Sequence, residues 1–129
     1  MSNKFSLGAR SRRNMQGVHP DLVRVIELAI QITEVDFTVI EGLRTKERQA
    51  ELVKAGKSQT QNSRHLTGHA VDLAAWVNGT VSWDKAHYHK IAEAMKAAAV
   101  KLQVPIVWGG DWKTFFDGPH FELDRKVYP

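Results

Sequence analysis

The sequence predicts an α+β domain built around a small antiparallel sheet. Segments with the apolar spacing of helices are mixed with short β-rich runs, and Asn78-Gly79 is a strong signal for a two-residue hairpin turn. The chain has 129 residues and no internal repeat, so one domain is expected. It also has no cysteine, and at this length roughly two thirds of the unfolded surface can be buried without disulfides.

Two helices and a strand are predicted in the N-terminal half. Pro20 suits the first turn of a helix over residues 20–33, where apolar residues recur at helical spacing. Residues 37–40 are aromatic or β-branched and predict a short strand. Thr45 is a suitable N-cap for a second helix, which ends before Gly56.

A hairpin is predicted in the middle of the chain. A polar loop over residues 56–64 precedes a strand over residues 69–77. The Asn78-Gly79 turn then leads into a return strand over residues 80–82. Because two strands joined by so short a turn must be antiparallel, this hairpin sets the expected type of sheet.

A long helix and two strands complete the predicted fold. Ser82 or Asp84 can cap the helix, which runs to about residue 103 and has one apolar face. Residues 105–108 form a further strand, and the last strand contains residues 120–123.

The excess positive charge of the chain lies at its N-terminus. The net charge is +4, and residues 1–24 contain five basic side chains but only one acidic one. Residues 1–17 also lack apolar periodicity, so we expect a loosely ordered basic arm there and one domain over residues 18–129. Such an arm is either a solvated tail or a contact for anionic polymers. Since the chain has no zinc-finger or aromatic-basic RNA motif, a nucleic-acid partner is not expected.

The strongest chemical signal is a pair of separated motifs. Residues 63–72 read Ser-Arg-His-Leu-Thr-Gly-His-Ala-Val-Asp, and residues 117–120 read Asp-Gly-Pro-His. His65, Asp72 and His120 offer three metal ligands, and Asp117 offers a general base, which is the residue set of a zinc hydrolase. On one helix His65 and Asp72 would be separated by roughly 10 Å of rise, so we expect Gly68 to allow a turn between them.

Strand parity separates the neighbouring candidates. His69 and Asp72 face opposite sides of the predicted strand, so His69 is predicted not to be a ligand. His120 and Glu122 share a face of the last strand. Glu122 is therefore either a group that orients a metal ligand or an ordinary surface carboxylate.

Together these residues resemble the zinc peptidases of the D-alanyl-D-alanine carboxypeptidase and dipeptidase superfamily. The shared pattern is Ser-x-His-x-x-Gly-x-Ala-x-Asp, then a tryptophan-containing segment, then an acidic residue three positions before a histidine. The matching residues are Ser63, His65, Gly68, Ala70, Asp72, Trp112, Asp117 and His120, with Gly42-Leu43-Arg44 upstream. The resemblance extends over residues 18–123 and is specific.

Within that superfamily the chain most resembles phage endolysins that are L-alanyl-D-glutamate peptidases. The distinguishing segments are residues 18–22, 109–112 and 120–123. Relatives that act on D-Ala-D-Ala usually carry Glu at the position of Asp117, whereas the endolysin type shares Asp. The resemblance implies a hedgehog-like α+β fold, one zinc ion, and hydrolysis of the L-Ala–D-Glu bond of peptidoglycan stem peptides, which lyses the host cell.

The resemblance also assigns roles to residues. It implies that His65, Asp72 and His120 bind zinc and that Asp117 is the catalytic base. Arg44 would stabilise the oxyanion or bind a substrate carboxylate, a task that suits its fixed fork of donors. Three residues are expected to contact the substrate: Arg44, Ser63 and Trp112.

Two other functions remain open at this stage. One is a D-Ala-D-Ala carboxypeptidase of cell-wall metabolism, and the other is a non-catalytic, metal-containing module that binds the wall. Residues 1–20 lack the apolar run of a signal peptide, and no segment is long enough to span a membrane. This absence fits the resemblance to phage endolysins, which implies a monomer that accumulates in the host cytoplasm and reaches the wall after release by a holin.

Overall fold

The computed structural model describes residues 5–56, 63–113 and 116–129. The helices are α1 (Ala9–Asn14), α2 (Pro20–Ile32), α3 (Lys46–Lys54) and α4 (Lys85–Leu102). The strands are β1 (Phe37–Glu41), β2 (Ala70–Val77), β3 (Thr80–Ser82), β4 (Ile106–Trp108) and β5 (His120–Leu123). Two short 3₁₀ helices cover Arg64–Thr67 and Gly109–Asp111. The predicted mixture of helices and strands is confirmed.

In the described part of the chain, five strands form one antiparallel sheet. Their order is β1-β2-β5-β4, and β3 pairs with the far end of β2. The central strand β2 therefore has β1 on one side and both β5 and β3 on the other. This topology places the first half of β2 against β5, which comes 43 or more residues later in the sequence.

The hydrophobic core lies on one face of the sheet. Helices α2 and α4 contribute buried apolar side chains such as Leu22 and Met95, and β2 contributes Val71 and Leu73. Because successive strand residues point to opposite faces, burying Val71 and Leu73 in the core directs Asp72 to the other face. The core thereby determines on which side of the sheet the chemically active residues lie.

Local signals placed most elements correctly. Thr45 caps α3 by accepting a hydrogen bond from the Arg48 amide at 3.0 Å, and Asp84 caps α4 by accepting one from the Ala86 amide at 3.0 Å. In the hairpin, Asn78 and Gly79 both have positive φ, as the predicted turn requires. Ser82 is the last residue of β3, so of the two proposed caps Asp84 is the one used.

The prediction of a loosely ordered arm over residues 1–17 is wrong for residues 5–17; residues 1–4 lie outside the described residues. Helix α1 packs beside the edge strand β1. The Ser11 hydroxyl accepts a hydrogen bond from the Val39 amide at 3.0 Å, and the Asn14 side-chain amide donates one to the Val39 carbonyl at 2.8 Å. Polar side chains of α1 therefore pair with backbone groups of β1 that face no neighbouring strand, and an analysis of apolar periodicity does not reveal such a helix.

The predicted polar loop also needs a correction. Residues 57–62 lie outside the described residues, but the loop does not extend to residue 64, because the 3₁₀ helix begins at Arg64. No helix in the described ranges is long and apolar enough to cross a membrane.

Candidate metal centre

A short 3₁₀ turn presents His65 to the sheet. The Ser63 hydroxyl caps this turn by accepting a hydrogen bond from the His65 amide at 3.2 Å. Gly68 ends the turn with φ of +75°, a left-handed conformation that favours glycine. The chain then enters β2 at Ala70. The expected turn at Gly68 between a loop-borne His65 and a strand-borne Asp72 is confirmed.

Strand pairing brings Asp72 and His120 together. Asp72 lies opposite His120 in the β2–β5 ladder and opposite Glu41 in the β1–β2 ladder. The β1–β2 register shifts between Val39 and Glu41, as in a β-bulge. Bulges beside functional sites commonly re-aim side chains, and this one lies immediately before the segment that carries Arg44.

Three donor atoms of this group converge on one point. The Asp72 Oδ1 atom lies 3.3 Å from His65 Nε2 and 3.4 Å from His120 Nδ1. One donor from each of the three residues lies within 4.8 Å of the others. Asp72 Oδ1 is buried and accepts no hydrogen bond from the described residues. A buried carboxylate oxygen without a hydrogen bond is costly, and a cation at this point would satisfy it. The residues therefore fit a metal ion.

The outward nitrogen of each imidazole is held by an acceptor. His65 Nδ1 donates to the Gly42 carbonyl at 2.9 Å, and His120 Nε2 donates to Glu122 Oε1 at 2.8 Å. When both imidazoles are neutral and their protons are on these nitrogens, His65 Nε2 and His120 Nδ1 have lone pairs directed at Asp72. This is the usual way in which a protein fixes the tautomer of a histidine ligand. Of the two interpretations of Glu122, the ligand-orienting one agrees with this contact.

Arg44 is buried next to the same carboxylate. Its guanidinium donates to Glu41 Oε1 at 2.8 Å, to Gln49 Oε1 at 2.6 Å and to Asp72 Oδ2 at 3.5 Å. The backbone amide of Arg44 also donates to the His65 carbonyl at 2.9 Å. Arg44 thus fixes the second oxygen of Asp72 and the position of the His65 turn.

Asp117 is held at the edge of the site by its backbone. Its amide donates to the Gly109 carbonyl at 3.1 Å, and its carbonyl accepts from the His120 amide at 3.2 Å. A side chain at residue 109 would overlap the Asp117 carbonyl, so this close approach depends on Gly109. The turn that contains Gly118 and Pro119 therefore places Asp117 beside His120.

The remaining sequence candidates fall in different places. The ring of Trp112 lies 5.0 Å from that of His120, and Trp112 is 37% exposed, so it lies at the surface beside the donor group. Ser63 lies next to His65 as a cap. His69 Nδ1 lies 2.6 Å from the Thr67 hydroxyl, and His69 is not a member of the donor group. This position agrees with the parity argument.

Comparison with known proteins identifies the family. The family model described as phage L-alanyl-D-glutamate peptidase matches residues 1–124. The chain belongs to this family. The L-alanyl-D-glutamate peptidase of Escherichia phage T5 is 30% identical over 128 residues, which cover 96% of this chain and 93% of the relative.

Two further proteins extend this similarity. The L-alanyl-D-glutamate peptidase of Listeria phage A118 is 36% identical over 94 residues, covering 73% of this chain but only 32% of the relative. The crystal structure of the Serratia marcescens L-Ala D-Glu endopeptidase ChiX is similar with a TM-score of 0.92 and 53% identity, covering 98% of this chain and 95% of that one. The predicted fold and resemblance are therefore confirmed.

The electrostatics of this L-alanyl-D-glutamate peptidase site favour ionised Asp72. Burial raises the pKa of Asp72, but its contacts with His120 and His65 outweigh burial and hold that pKa well below its usual range. Burial lowers the pKa of His120, yet the carboxylates of Asp72 and Glu122 raise it to about 9. Burial and the charge of Asp72 raise the pKa of Asp117.

Sequence reasoning missed how the peptidase holds Glu122. Arg64 Nε and Arg125 Nε lie 3.8 Å and 3.6 Å from Glu122 Oε2. Arg64 also donates to the carbonyls of Leu123 and Tyr128, at 3.2 Å and 2.6 Å. Arg64 thereby joins the His65 turn to the C-terminal segment. Its place within the histidine motif was the available signal, but its partners lie 58 or more positions away.

Proposed function

We propose that this peptidase is a zinc-dependent endolysin that hydrolyses the L-Ala–D-Glu bond of peptidoglycan stem peptides. The observation that carries the proposal is the convergence of three metal donors around a buried, unsatisfied carboxylate oxygen. The names of the phage T5 peptidase and of ChiX, both similar over almost the whole chain, support the choice of scissile bond.

In this proposal His65, Asp72 and His120 hold one zinc ion. Two imidazole nitrogens and one carboxylate oxygen make a donor set that suits zinc, whereas magnesium and calcium prefer oxygen donors throughout. A bound zinc ion supplies Lewis-acid activation and lowers the pKa of a coordinated water towards about 7. The chain's own residues then fix the geometry and move the protons.

Asp117 acts as the general base and acid. It accepts a proton from the attacking water, whose oxygen bonds to the carbonyl carbon of L-alanine. It then delivers the proton to the nitrogen of D-glutamate as the C–N bond breaks. The raised pKa of Asp117 favours the first transfer, because a more basic carboxylate takes up the water proton more readily.

Other residues would position the substrate. Arg44 brings a guanidinium, which is permanently charged, next to the donor group, where it would stabilise the oxyanion or bind a substrate carboxylate. Trp112 would form an apolar wall of the cleft beside His120. Ser63 would contact the substrate from the rim of the same cleft. In this interpretation, residues 18–129 contain the catalytic residues, and α1 packs against β1 of the same domain.

The names of the two phage relatives support a biological setting in phage lysis. A phage endolysin of this type would be made in the host cytoplasm, would act as a monomer and would reach the wall after holin-type release. The exposed arginines of α1, Arg10, Arg12 and Arg13, would assist by contacting anionic envelope polymers.

A digest of purified Gram-negative peptidoglycan tests the reaction. The products are read by mass spectrometry and end-group labelling, with and without a chelator. New glutamate amino termini that vanish with chelator and return with zinc are expected. Released D-alanine would instead identify a carboxypeptidase, and zinc binding without cleavage would identify a wall-binding module.

A pair of histidine variants tests the ligand set. His120→Ala removes a proposed ligand, so both zinc content and activity should be lost. His69→Ala removes an imidazole that lies outside the donor group and should leave the zinc content intact. The zinc content of the two purified variants is measured by metal analysis and compared with that of the wild type. A fully metallated and active His120→Ala variant would contradict the proposed ligand.

A further inference from the structure

A pocket lies at the end of the β1–β2 ribbon that is farther from the metal donors. Its volume is about 320 Å³, and it is formed where the start of α1 meets the start of β1 and the end of β2. The side chains that line it include Ser6, Arg10, Asp36, Thr38 and Trp76. This volume falls within the ~300–1,000 Å³ range of sites that bind small molecules.

Trp76 provides a flat apolar surface in this pocket. It is 37% exposed and does not belong to the hydrophobic core described above. Its backbone amide donates to the Asp36 carbonyl at 2.9 Å, and the Asp36 carboxylate accepts from the Phe37 amide at 2.8 Å. The backbone that carries the indole is therefore fixed against β1, so only the side chain has to be ordered when a ligand binds.

The polar groups around Trp76 have both donors and acceptors. Ser6 and Thr38 contribute hydroxyls, Arg10 a guanidinium and Asp36 a carboxylate. One charge of each sign leaves the pocket close to neutral. A neutral ligand with one apolar face and several hydroxyls matches this lining, and a pyranose ring has that chemistry. A tryptophan with an exposed face also suits a ligand that is apolar on one side and hydrated on the other.

The position of the pocket relates it to the metal donors. Trp76 and Asp72 are four residues apart on β2 and share a face of the sheet. At the usual strand rise this separation is about 13 Å. Thr38 pairs with Ala74, which lies between them on the same face. The pocket and the metal donors therefore lie on the same side of the sheet.

We propose that this pocket binds a sugar residue of the glycan strand while the stem peptide lies at the metal donors. The inference rests on the proposed function, since in peptidoglycan the L-alanine end of the stem peptide is attached to the glycan. The scissile bond is one residue from that attachment. A glycan contact beyond the peptide would position the first peptide bond and would distinguish wall-linked from free stem peptides.

Two soluble substrates test the proposal. One is a disaccharide-linked stem peptide released from peptidoglycan by a muramidase, and the other is the same peptide freed of its sugars by an amidase. The wild-type protein should have the lower KM for the disaccharide-linked peptide. Trp76→Ala should reduce this advantage roughly 3- to 10-fold, the effect of losing one aromatic contact, and Trp76→Phe should restore part of it.

Trp83→Ala is the matched control. Trp83 is also an exposed tryptophan, at 63%, but it does not line the pocket. The ratio of the two KM values should be the same in this variant as in the wild type. An unchanged ratio in Trp76→Ala, or an equal change in Trp83→Ala, would overturn the proposal.

Direct binding separates this proposal from the proposed function. The full chain is titrated with a trimer of N-acetylglucosamine and followed by NMR. Shifts of the Trp76 indole N–H and the Thr38 amide would support the pocket even if neither peptide were cleaved, in which case the proposed function alone would fail. If these signals do not shift, or if shifts occur only around His65 and His120, the pocket is not a sugar site.

Discussion

Loss of the Glu122 carboxylate should weaken metal binding without changing any metal donor. Glu122 Oε1 accepts a hydrogen bond from His120 Nε2 at an N···O distance of 2.8 Å, and the two side chains are only 9% and 8% exposed. Burial raises the pKa of Glu122, but its contact with His120 outweighs burial and lowers it. The carboxylate is therefore charged at neutral pH, and solvent screens the contact little.

The expected magnitude follows from the kind of hydrogen bond. A bond to a charged group contributes about 1 to 1.5 kcal/mol more than a neutral one, so Glu122→Gln should weaken zinc binding roughly tenfold. Glu122→Ala removes the acceptor and frees the imidazole to rotate. The loss of zinc affinity in Glu122→Ala should therefore be nearer the upper end of the ~10- to 100-fold range that is typical when a residue supporting a metal ligand is removed.

Competition with a chromophoric chelator at neutral pH measures these dissociation constants. Glu51→Gln is the control, because this glutamate lies on α3 with its side chain 72% exposed. Thermal unfolding of each metal-free variant checks that the fold is intact. Equal dissociation constants for the wild type, Glu122→Gln and Glu122→Ala would refute the reasoning, as would an equal loss in the control.

Three other perturbations test different parts of the site. Asp117→Asn should keep zinc and lose about 10²- to 10⁴-fold in turnover. Burial and the neighbouring Asp72 carboxylate raise the pKa of Asp117, so the ionised Asp117 side chain destabilises the fold at pH values above its ordinary pKa of 3.8. The metal-free Asp117→Asn variant lacks this charge and should therefore have a higher melting temperature than the wild type at neutral pH. Burial lowers the pKa of His120, but two carboxylates raise it to about 9. Protonated His120 therefore stabilises the metal-free fold; this contribution is fully present below the ordinary pKa of 6.5 and is lost as the pH rises through about 9. The melting temperature of the metal-free protein should fall over that range, and a flat profile would contradict this. Gly68→Ala should lower the free energy of unfolding, measured by chemical denaturation, more than Gly56→Ala does. Both glycines have φ of +75°, and a side chain in that conformation costs about 1–2 kcal/mol, but only at Gly68 would the side chain also overlap the Gly17 carbonyl. Equal losses would show that the close approach is not important.

Local sequence signals were sufficient for most elements. Helix α2 begins at the predicted proline, and the caps Thr45 and Asp84 act within three residues of their own positions. The hairpin turn at Asn78-Gly79 depends on two consecutive residues. Such signals can be found in one sequence because both partners of each interaction are neighbours in the chain.

Helix α1 was missed for the opposite reason. Ser11 and Asn14 bond to Val39, which lies 28 and 25 positions away, and neither side chain is apolar. A polar segment that covers a strand edge has the same composition as a solvated tail. Only the position of β1 beside α1 distinguishes the two.

The sequence by itself determined the types of residue in the site. Histidines and aspartates in two motifs indicated a metal site, strand parity separated Asp72 from His69, and the combined pattern indicated the family. Tertiary structure decided how those residues are held. The antiparallel pairing of β2 with β5 places Asp72 opposite His120. Arg44 contacts Asp72, 28 positions along the chain, and Arg64 lies beside Glu122, which is 58 positions away from it. Spacing along the chain specifies which face a side chain takes, but distances between atoms on separate strands depend on the register of the folded sheet.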